Sequence, residues 1–268
     1  MNYRVLHKTE YTYQHPATLC HNIICQGPSN NPFQKVKVFK CSISPEPFMR
    51  QARIDFFDNS LTYFSIEQTH THLNVEVESE VQLEEPPWIS KRANESMPWE
   101  EVRAHLHTTA AKNDTRQFYL ASPHVSFHSQ ITQYARKSFT SGRPIMDATM
   151  ELCSRIFADF SFTPGFTEIS TPVDSVFDHR KGVCQDFAHL ALSCLRSLGL
   201  AARYVSGYIE TVPPPGKEKL VGSDASHAWI AVFVPKLGWV EYDATNNLLV
   251  NDQHIRAAYG RDFSDVVP

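Results

Sequence analysis

The stretch from Asp178 to Asn247 constrains the fold of this chain most, because it joins one helix to three strands. Glycines at 182 and 199 bracket a segment whose apolar residues recur at helical spacing: Phe187, Leu190, Ala191, Cys194, Leu195 and Leu198. Three β-branched and aromatic runs follow, at 202–209, 227–234 and 239–243. Pro235-Lys236-Leu237-Gly238 separates the last two and predicts a hairpin. These patterns predict a helix, a strand and a hairpin in that order.

Cys184 lies in the first turn of the predicted helix and on its apolar face, three residues before Phe187. The N-terminus of a helix carries a partial positive charge and unpaired N–H groups, and both favour a thiolate over a thiol. The same N–H groups can donate to an oxyanion that forms beside the sulfur. This position suits a nucleophile, and it equally suits a buried cysteine of the first turn. Cys194, in the middle of the same helix, is expected to be a core residue.

His227 opens one arm of the predicted hairpin, and Asp243 closes the other. A four-residue loop at 235–238 would pair Ile230 with Asp243 and leave His227 on the opposite face of the sheet. A loop longer or shorter by one residue, or a single bulge, would pair Trp229 with Asp243 and place His227 diagonally beside it. We predict this second register, in which a base and the residue that orients it can touch. Each residue alone is also an ordinary structural residue.

The N-terminal part of the chain has the alternating pattern of strands, and the period then becomes helical. Residues 35–39 and 73–78 alternate between apolar and polar, which predicts a sandwich-like sheet domain. Helical spacing follows a polar, proline-containing segment, at residues 99–111, 126–139 and 144–160. The expected organisation is an all-β domain at 1–87, a linker at 88–100 and a domain of helices and strands at 101–268.

Composition excludes several classes of function. A hydrophobic share of 42% with 20% charged residues is that of a globular protein with a core. A net charge of −4 without a long Lys/Arg cluster argues against a nucleic-acid surface. No apolar run approaches the roughly 18–20 residues that span a bilayer, and the first residues lack the pattern of a signal peptide. We therefore expect a cytoplasmic protein with no membrane partner.

Metal and cofactor chemistry are not expected either. The six cysteines form no C-x-x-C pair, which removes support for a zinc ribbon or a thioredoxin-like site. No acidic loop has the spacing of an EF-hand, so calcium is not expected. The sequence predicts no metal and no cofactor.

Three spaced motifs resemble the transglutaminase-like family of bacterial cysteine enzymes, part of the papain-like superfamily. They are R-K-G-V-C-Q-D-F-A-H-L at 180–190, D-A-S-H-A-W at 224–229 and G-W-V-E-Y-D-A-T-N at 238–246, with R-Y-V-S-G-Y at 203–208. The resemblance covers roughly residues 120–250, and the preceding β region resembles the extra domain of bacterial members. It implies an α+β catalytic core, with a nucleophile helix packed against an antiparallel sheet. It also implies that Cys184 is the nucleophile, His227 the general base and acid, and Asp243 its orienting partner.

The expected activity is acyl transfer from peptide or isopeptide amides through a thioester on Cys184. Water as acceptor makes a protease or amidase, which we favour, whereas a primary amine makes a transglutaminase. A non-catalytic peptide-binding module is the alternative from another class. Contacts with a peptide or protein substrate are expected at Tyr208, Asp224 and Trp229. The sequence does not indicate an oligomeric state.

Overall fold

The computed structural model of the protein describes residues 1–90, 96–108, 115–210 and 225–267. Its contacts define two units. The first comprises Met1–Glu85, Ile255–Tyr259 and the residues from Val266 onward, and the second comprises Pro86–His254 and Gly260–Asp265. The sequence placed a boundary close to Glu85, at residue 87. It did not assign any C-terminal residue to the first unit.

The N-terminal segment of the first unit, Met1–Glu85, contains six antiparallel strands in two three-stranded sheets. The sheets have the orders β1-β6-β3 and β2-β5-β4. The strands are β1 (Asn2–Ala17), β2 (Cys20–Ile24), β3 (Gln34–Ser44), β4 (Met49–Ile54), β5 (Ser60–Ile66) and β6 (His70–Leu83). The predicted alternation at 35–39 and 73–78 lies within β3 and β6.

Strand β6 shows how the alternating sequence produces this architecture. Its apolar positions point to one face of the sheet, because successive side chains of a strand leave on opposite faces. Its outer face carries glutamates, which pair with β1 through Arg4–Glu78 at 2.7 Å and Lys8–Glu76 at 3.3 Å. Both sheets contribute to one core cluster, as expected for a sandwich-like domain: Ile24, Cys41, Ile43, Phe64, Ile66, Leu73, Val75 and Val77.

The second unit contains the helices and the sheet that follows them. The helices are α1 (Trp99–Leu106), α2 (Ser129–Arg136), α3 (Ile145–Asp159), α4 (Val173–His179) and α5 (Cys184–Ser197). Three of them lie inside the helices predicted at 99–111, 126–139 and 144–160. Helix α4 was not predicted, because its seven residues follow a proline-containing turn and are too few for a periodic pattern.

The remaining strands are β7 (Ser161–Phe162), β8 (Lys181–Gly182), β9 (Ala202–Ile209), β10 (His227–Val234), β11 (Gly238–Asp243), β12 (Leu248–Leu249) and β13 (His254–Gly260). Strands β7 and β8 form a short parallel pair, and β8 ends just before α5. Strands β12, β11, β10 and β9 lie side by side in that order, and each neighbouring pair is antiparallel. The α+β architecture expected from the sequence is confirmed.

Helix α5 begins and ends where its glycines predicted. Gly199 has a φ of +80° directly after the C-cap residue Leu198. The N–H groups of Gly199 and Leu200 donate to the carbonyls of Arg196 and Leu195, at 2.9 and 3.1 Å. This pair of bonds is a Schellman motif, which satisfies carbonyls that a helix end would otherwise leave unpaired. The helix packs against β9 and β10.

Candidate active site

The hairpin of β10 and β11 has the register that brings His227 and Asp243 to one face. Val234 pairs with Gly238 and Ile230 pairs with Tyr242, so the loop contains three residues, 235–237. Continuing this register by one residue places Asp243 opposite Trp229. Lys236 in the loop has a φ of 70° and Gly238 a φ of 79°, which gives the turn its left-handed conformations. The predicted odd-length loop is confirmed.

The side chains of His227 and Asp243 form a buried pair. His227 Nε2 donates to Asp243 Oδ2 at 2.8 Å, and both side chains are fully excluded from solvent. On the neighbouring strand β9, His227 pairs with Gly207. The structure therefore brings together two of the three residues that the sequence proposed for the site, through a direct hydrogen bond.

The carboxylate of Asp243 accepts hydrogen bonds on both oxygens. Oδ1 accepts from the backbone N–H groups of Thr245 and Asn246, at 2.9 and 3.1 Å. Oδ2 accepts from His227, from Asn246 Nδ2 at 2.7 Å and from His254 Nε2 at 3.3 Å. These donors hold the carboxylate in a single orientation and satisfy a charge that is buried away from water.

The same contacts set the charge of the pair. Burial alone would lower the pKa of His227, but the charge of Asp243, its hydrogen bond and the Cys184 thiol together raise it to about 10. Burial would raise the pKa of Asp243, but His227 and His254 hold it well below its ordinary value. An imidazolium beside a carboxylate is therefore the favoured state of this pair at neutral pH.

Cys184 is the first residue of helix α5, preceded by the N-cap residue Val183. It is partly exposed, and it lies close enough to His227 for the thiol to contribute, as a hydrogen-bonding partner, to the raised pKa of the imidazole. Among the residues that the structure describes, His227 Nδ1 has no nitrogen or oxygen partner, whereas Nε2 is bonded to Asp243. The thiol, the imidazole and the carboxylate thus follow one another in the order that nucleophilic catalysis requires.

The other cysteines differ from Cys184 in exposure or in surroundings. Cys25, Cys41, Cys153 and Cys194 are buried, and Cys20 is partly exposed on strand β2 of the first unit. Burial raises the pKa of Cys25 and of Cys194 to about 12, and it also raises the pKa of Cys41 and Cys153. The core position expected for Cys194 is observed, since the residue is fully buried.

The start of helix α5 is held by Asp186. Its Oδ2 accepts the Val183 N–H at 2.8 Å and the Thr167 hydroxyl at 2.6 Å, as an acidic side chain in a first turn commonly does. Burial raises the pKa of Asp186, and the two hydrogen bonds, which favour the ionised carboxylate, only partly oppose this rise. A Cβ on Gly182 would lie 2.8 Å from Asp186 Cβ, so this contact requires glycine at position 182. The sequence motif indicated Gly182 but gave no role to Asp186 or Thr167.

Of the three residues expected to contact substrate, the structure describes Trp229 and Tyr208. Trp229 is only 1% exposed, and its Nε1 donates to the buried Glu241 at 2.8 Å. Its ring packs on His227 and on His254, with centroids 6.0 and 5.3 Å apart. The expectation of a substrate contact is therefore corrected, because the indole is a buried support of the site. Tyr208 is half-buried on β9, and Asp224 lies outside the described residues.

His254 is a residue of this site that the sequence did not single out. It lies at the start of β13, is fully buried, and donates to the same carboxylate oxygen as His227. It lies eleven residues past Asp243 and outside the motifs that carry the family resemblance. No pattern in the sequence pointed to it.

The described residues contain neither a cluster of metal ligands nor a membrane-spanning helix. Within residues 1–90, 96–108, 115–210 and 225–267, no three or more His, Cys, Asp or Glu side chains lie together as metal ligands would. Among the helices that the structure describes, none has the length and apolar character needed to cross a membrane.

The fold and the site define a transglutaminase-like protein, and comparison with known families agrees. Residues 3–82 match the bacterial transglutaminase-like N-terminal region, and residues 132–244 match the transglutaminase-like superfamily. The second match contains Cys184, His227 and Asp243. The chain belongs to this bacterial transglutaminase-like family.

Relatives are found along the whole chain and within its core. An uncharacterized protein of Mycobacterium tuberculosis strain H37Rv is 38% identical over 272 residues, which cover 99% of this chain and 85% of that protein. An uncharacterized protein of Mycobacterium leprae is 30% identical over 270 residues, covering 99% and 90%. A Pseudomonas aeruginosa protein named protein-glutamine gamma-glutamyltransferase is 33% identical over 87 residues, covering 32% of this chain and 13% of that protein.

A solved structure has the same fold. The crystal structure of a candidate cysteine protease from Cytophaga hutchinsonii superimposes with a TM-score of 0.75 and 17% sequence identity. The match covers 100% of this chain and 86% of that one. At this level of identity the likeness concerns the fold.

Proposed function

We propose that this protein is a thiol acyl-transfer enzyme that acts on peptide or isopeptide amides through Cys184, His227 and Asp243. One observation carries the proposal: the His227 imidazole is bonded through Nε2 to a buried carboxylate and has the Cys184 thiol as its other neighbour. The thiol lies at a helix N-terminus, where the helix dipole and the imidazolium both favour thiolate. A free thiol of this kind suits the reducing cytoplasm.

In the first half of the reaction, Cys184 Sγ attacks the carbonyl carbon of the amide. The developing oxyanion is placed near the first-turn N–H groups of α5, which have no partner within the helix. The C–N bond then breaks, and the His227 imidazolium gives its Nδ1 proton to the leaving amine. The products of this half are a free amine, a thioester on Cys184 and a neutral imidazole. Asp243 keeps the ring oriented throughout.

In the second half, an acceptor attacks the thioester carbonyl while His227 Nδ1 takes its proton, and the C–S bond breaks to release the acyl product and restore the Cys184 thiolate. We favour water, so that the enzyme is a hydrolase such as a cysteine protease or amidase, because water is always present as an acceptor. A primary amine as acceptor would make the enzyme a transglutaminase. The name of the Pseudomonas aeruginosa relative favours this second candidate, for which the same three residues would serve.

Alkylation of the cysteines by iodoacetamide at pH 6 tests the activated thiolate. An ordinary thiol is mostly protonated at this pH, so we expect Cys184 to react at least about tenfold faster than Cys20. Cys20 is the matched control because it is also partly exposed and its Sγ also lies near an imidazole, 3.8 Å from His70 Nε2, but at the start of a strand and not of a helix. His227→Ala should slow the labelling of Cys184 by about tenfold and leave Cys20 unchanged. Equal, slow labelling of both cysteines would defeat the proposal.

The fate of the thioester is tested with a peptide library, in the presence and absence of a fluorescent primary amine. New peptide termini or released ammonia without the amine indicate hydrolysis, whereas fluorescent peptides indicate transamidation. Cys184→Ala is the control for both products. Binding of peptides without either product, equal in wild type and Cys184→Ala, would instead support a peptide-binding module.

A further inference from the structure

Asp243 Oδ2 is shared by two imidazoles. His227 Nε2 lies 2.8 Å from this atom and His254 Nε2 lies 3.3 Å from it. The two histidines come from different strands, β10 and β13, and both are fully buried. Since an ionised carboxylate only accepts hydrogen bonds, His254 Nε2 carries a proton and donates it toward Oδ2.

The ring of His254 is held in this orientation by its packing. It meets the indole of Trp229 edge to face, with centroids 5.3 Å apart and an interplanar angle of 79°. The indole is itself anchored by its hydrogen bond to Glu241. The aromatic contact therefore fixes the orientation of the His254 ring, with Nε2 directed toward the carboxylate.

The titratable groups around Asp243 come from three elements. They are His227 on β10, His254 on β13 and the buried thiol of Cys153 on α3, whose pKa is raised by burial and by the charge of Asp243. His227 in turn faces Cys184 at the start of α5. His254 donates to the carboxylate from a different strand than His227.

We propose that His254 is a positioning residue of the acyl-transfer site. Its hydrogen bond to Asp243 Oδ2 weakens the attraction of this carboxylate for the His227 proton, so that His227 can release it. This inference rests on the proposed function. A carboxylate that accepts fewer hydrogen bonds interacts more strongly with the imidazolium beside it. Removing the His254 donor therefore leaves a His227 that holds its proton more firmly.

The step that depends on how firmly His227 holds its proton is hydrolysis of the thioester. In the acyl-enzyme the sulfur of Cys184 is uncharged, so Asp243 is the neighbour that sets how readily His227 is deprotonated. Neutral His227 takes a proton from water at Nδ1, the water oxygen bonds to the acyl carbon, and the C–S bond breaks. The acid product leaves, and Cys184 regains a thiolate beside the imidazolium.

Loss of one hydrogen bond to a charged group corresponds to about a tenfold change in an equilibrium. About a tenfold smaller fraction of neutral His227 at pH 7.5 is expected when the donor is removed. The remaining neutral imidazole is a stronger base, which recovers part of the rate. The net expectation is about a threefold slower deacylation, with acylation unchanged.

Hydrolysis of p-nitrophenyl acetate separates the two steps, because the burst of p-nitrophenolate reports acylation of Cys184 and the steady state reports deacylation. His254→Asn and His254→Gln form a matched pair of polar variants. The glutamine amide nitrogen can reach the position of Nε2, whereas the asparagine amide is too short to reach Asp243. His254→Phe is a third variant, which keeps a ring against Trp229 and lacks any donor.

We expect His254→Asn and His254→Phe to lower the steady-state kcat about threefold while the burst rate stays within about twofold of wild type. His254→Gln should restore kcat. Two outcomes, in variants that unfold at the wild-type urea midpoint, would overturn the role of His254 but not the proposed function. Either the burst rate and the steady-state kcat fall together, or neither of them falls. A wild type without any Cys184-dependent burst would overturn the proposed function, and this inference with it.

Discussion

Replacement of Asp243 by asparagine tests how much stability the buried His227–Asp243 pair supplies. The carboxylate accepts five hydrogen bonds, two on Oδ1 and three on Oδ2. An amide has only one oxygen, so Asp243→Asn leaves at least two buried donors facing an NH₂ group. It also removes the negative charge that keeps His227 protonated.

The two effects have different magnitudes and different dependence on pH. Orphaned buried donors cost about 1–3 kcal/mol each, and this cost does not change between pH 6 and pH 9. The charge effect follows the pKa of His227, which rises from 6.5 to about 10. At about 1.4 kcal/mol per pH unit, this difference corresponds to roughly 5 kcal/mol of stability for the pair as a whole.

The sign of the pH dependence follows from linkage. Because the pKa of His227 is higher in the folded protein, its contribution is complete below pH 6.5 and is lost as the pH rises toward about 10. The lowered pKa of Asp243 means that its own contribution is lost only in acid, below this range. The difference in unfolding free energy between wild type and Asp243→Asn should therefore narrow by about 2–3 kcal/mol from pH 7 to pH 9.

Urea unfolding at pH 6, 7, 8 and 9, followed by tryptophan fluorescence, measures this difference. All four tryptophans lie in the second unit, so the signal reports the unit that contains the site. Asp178→Asn, at an exposed carboxylate, is the matched control and should show a small difference at every pH. A difference between wild type and Asp243→Asn that stays constant from pH 6 to pH 9 would refute the reasoning.

Three other substitutions test the supports of the site. Gly182→Ala places a Cβ 2.8 Å from Asp186 Cβ, so we expect a loss of about 1–3 kcal/mol in urea unfolding and slower labelling of Cys184 by iodoacetamide. Trp229→Phe removes the donor to buried Glu241 and should cost about 1–3 kcal/mol, and an unchanged unfolding midpoint would contradict this account. Gly199→Ala, at a φ of +80°, should cost about 1–2 kcal/mol in the same measurement without changing the labelling rate.

Several elements followed directly from local sequence. The glycines at 182 and 199 predicted the limits of helix α5, because one residue needs to be small beside Asp186 and the other needs a positive φ. The alternating run at 73–78 predicted the buried face of β6. Helix α4 and strand β13 were missed, since a seven-residue helix is too short for a clear period and β13 lies beyond the recognisable motifs.

The sequence by itself determined that Cys184 begins a helix, because local spacing and helix-end residues act over a few neighbours. It also limited the hairpin to two registers, only one of which lets His227 meet Asp243. Tertiary structure decided between them, since the three-residue loop depends on backbone conformations at Lys236 and Gly238. It also brought His254 to the same carboxylate oxygen as His227, a contact between residues on separate strands that no local pattern encodes.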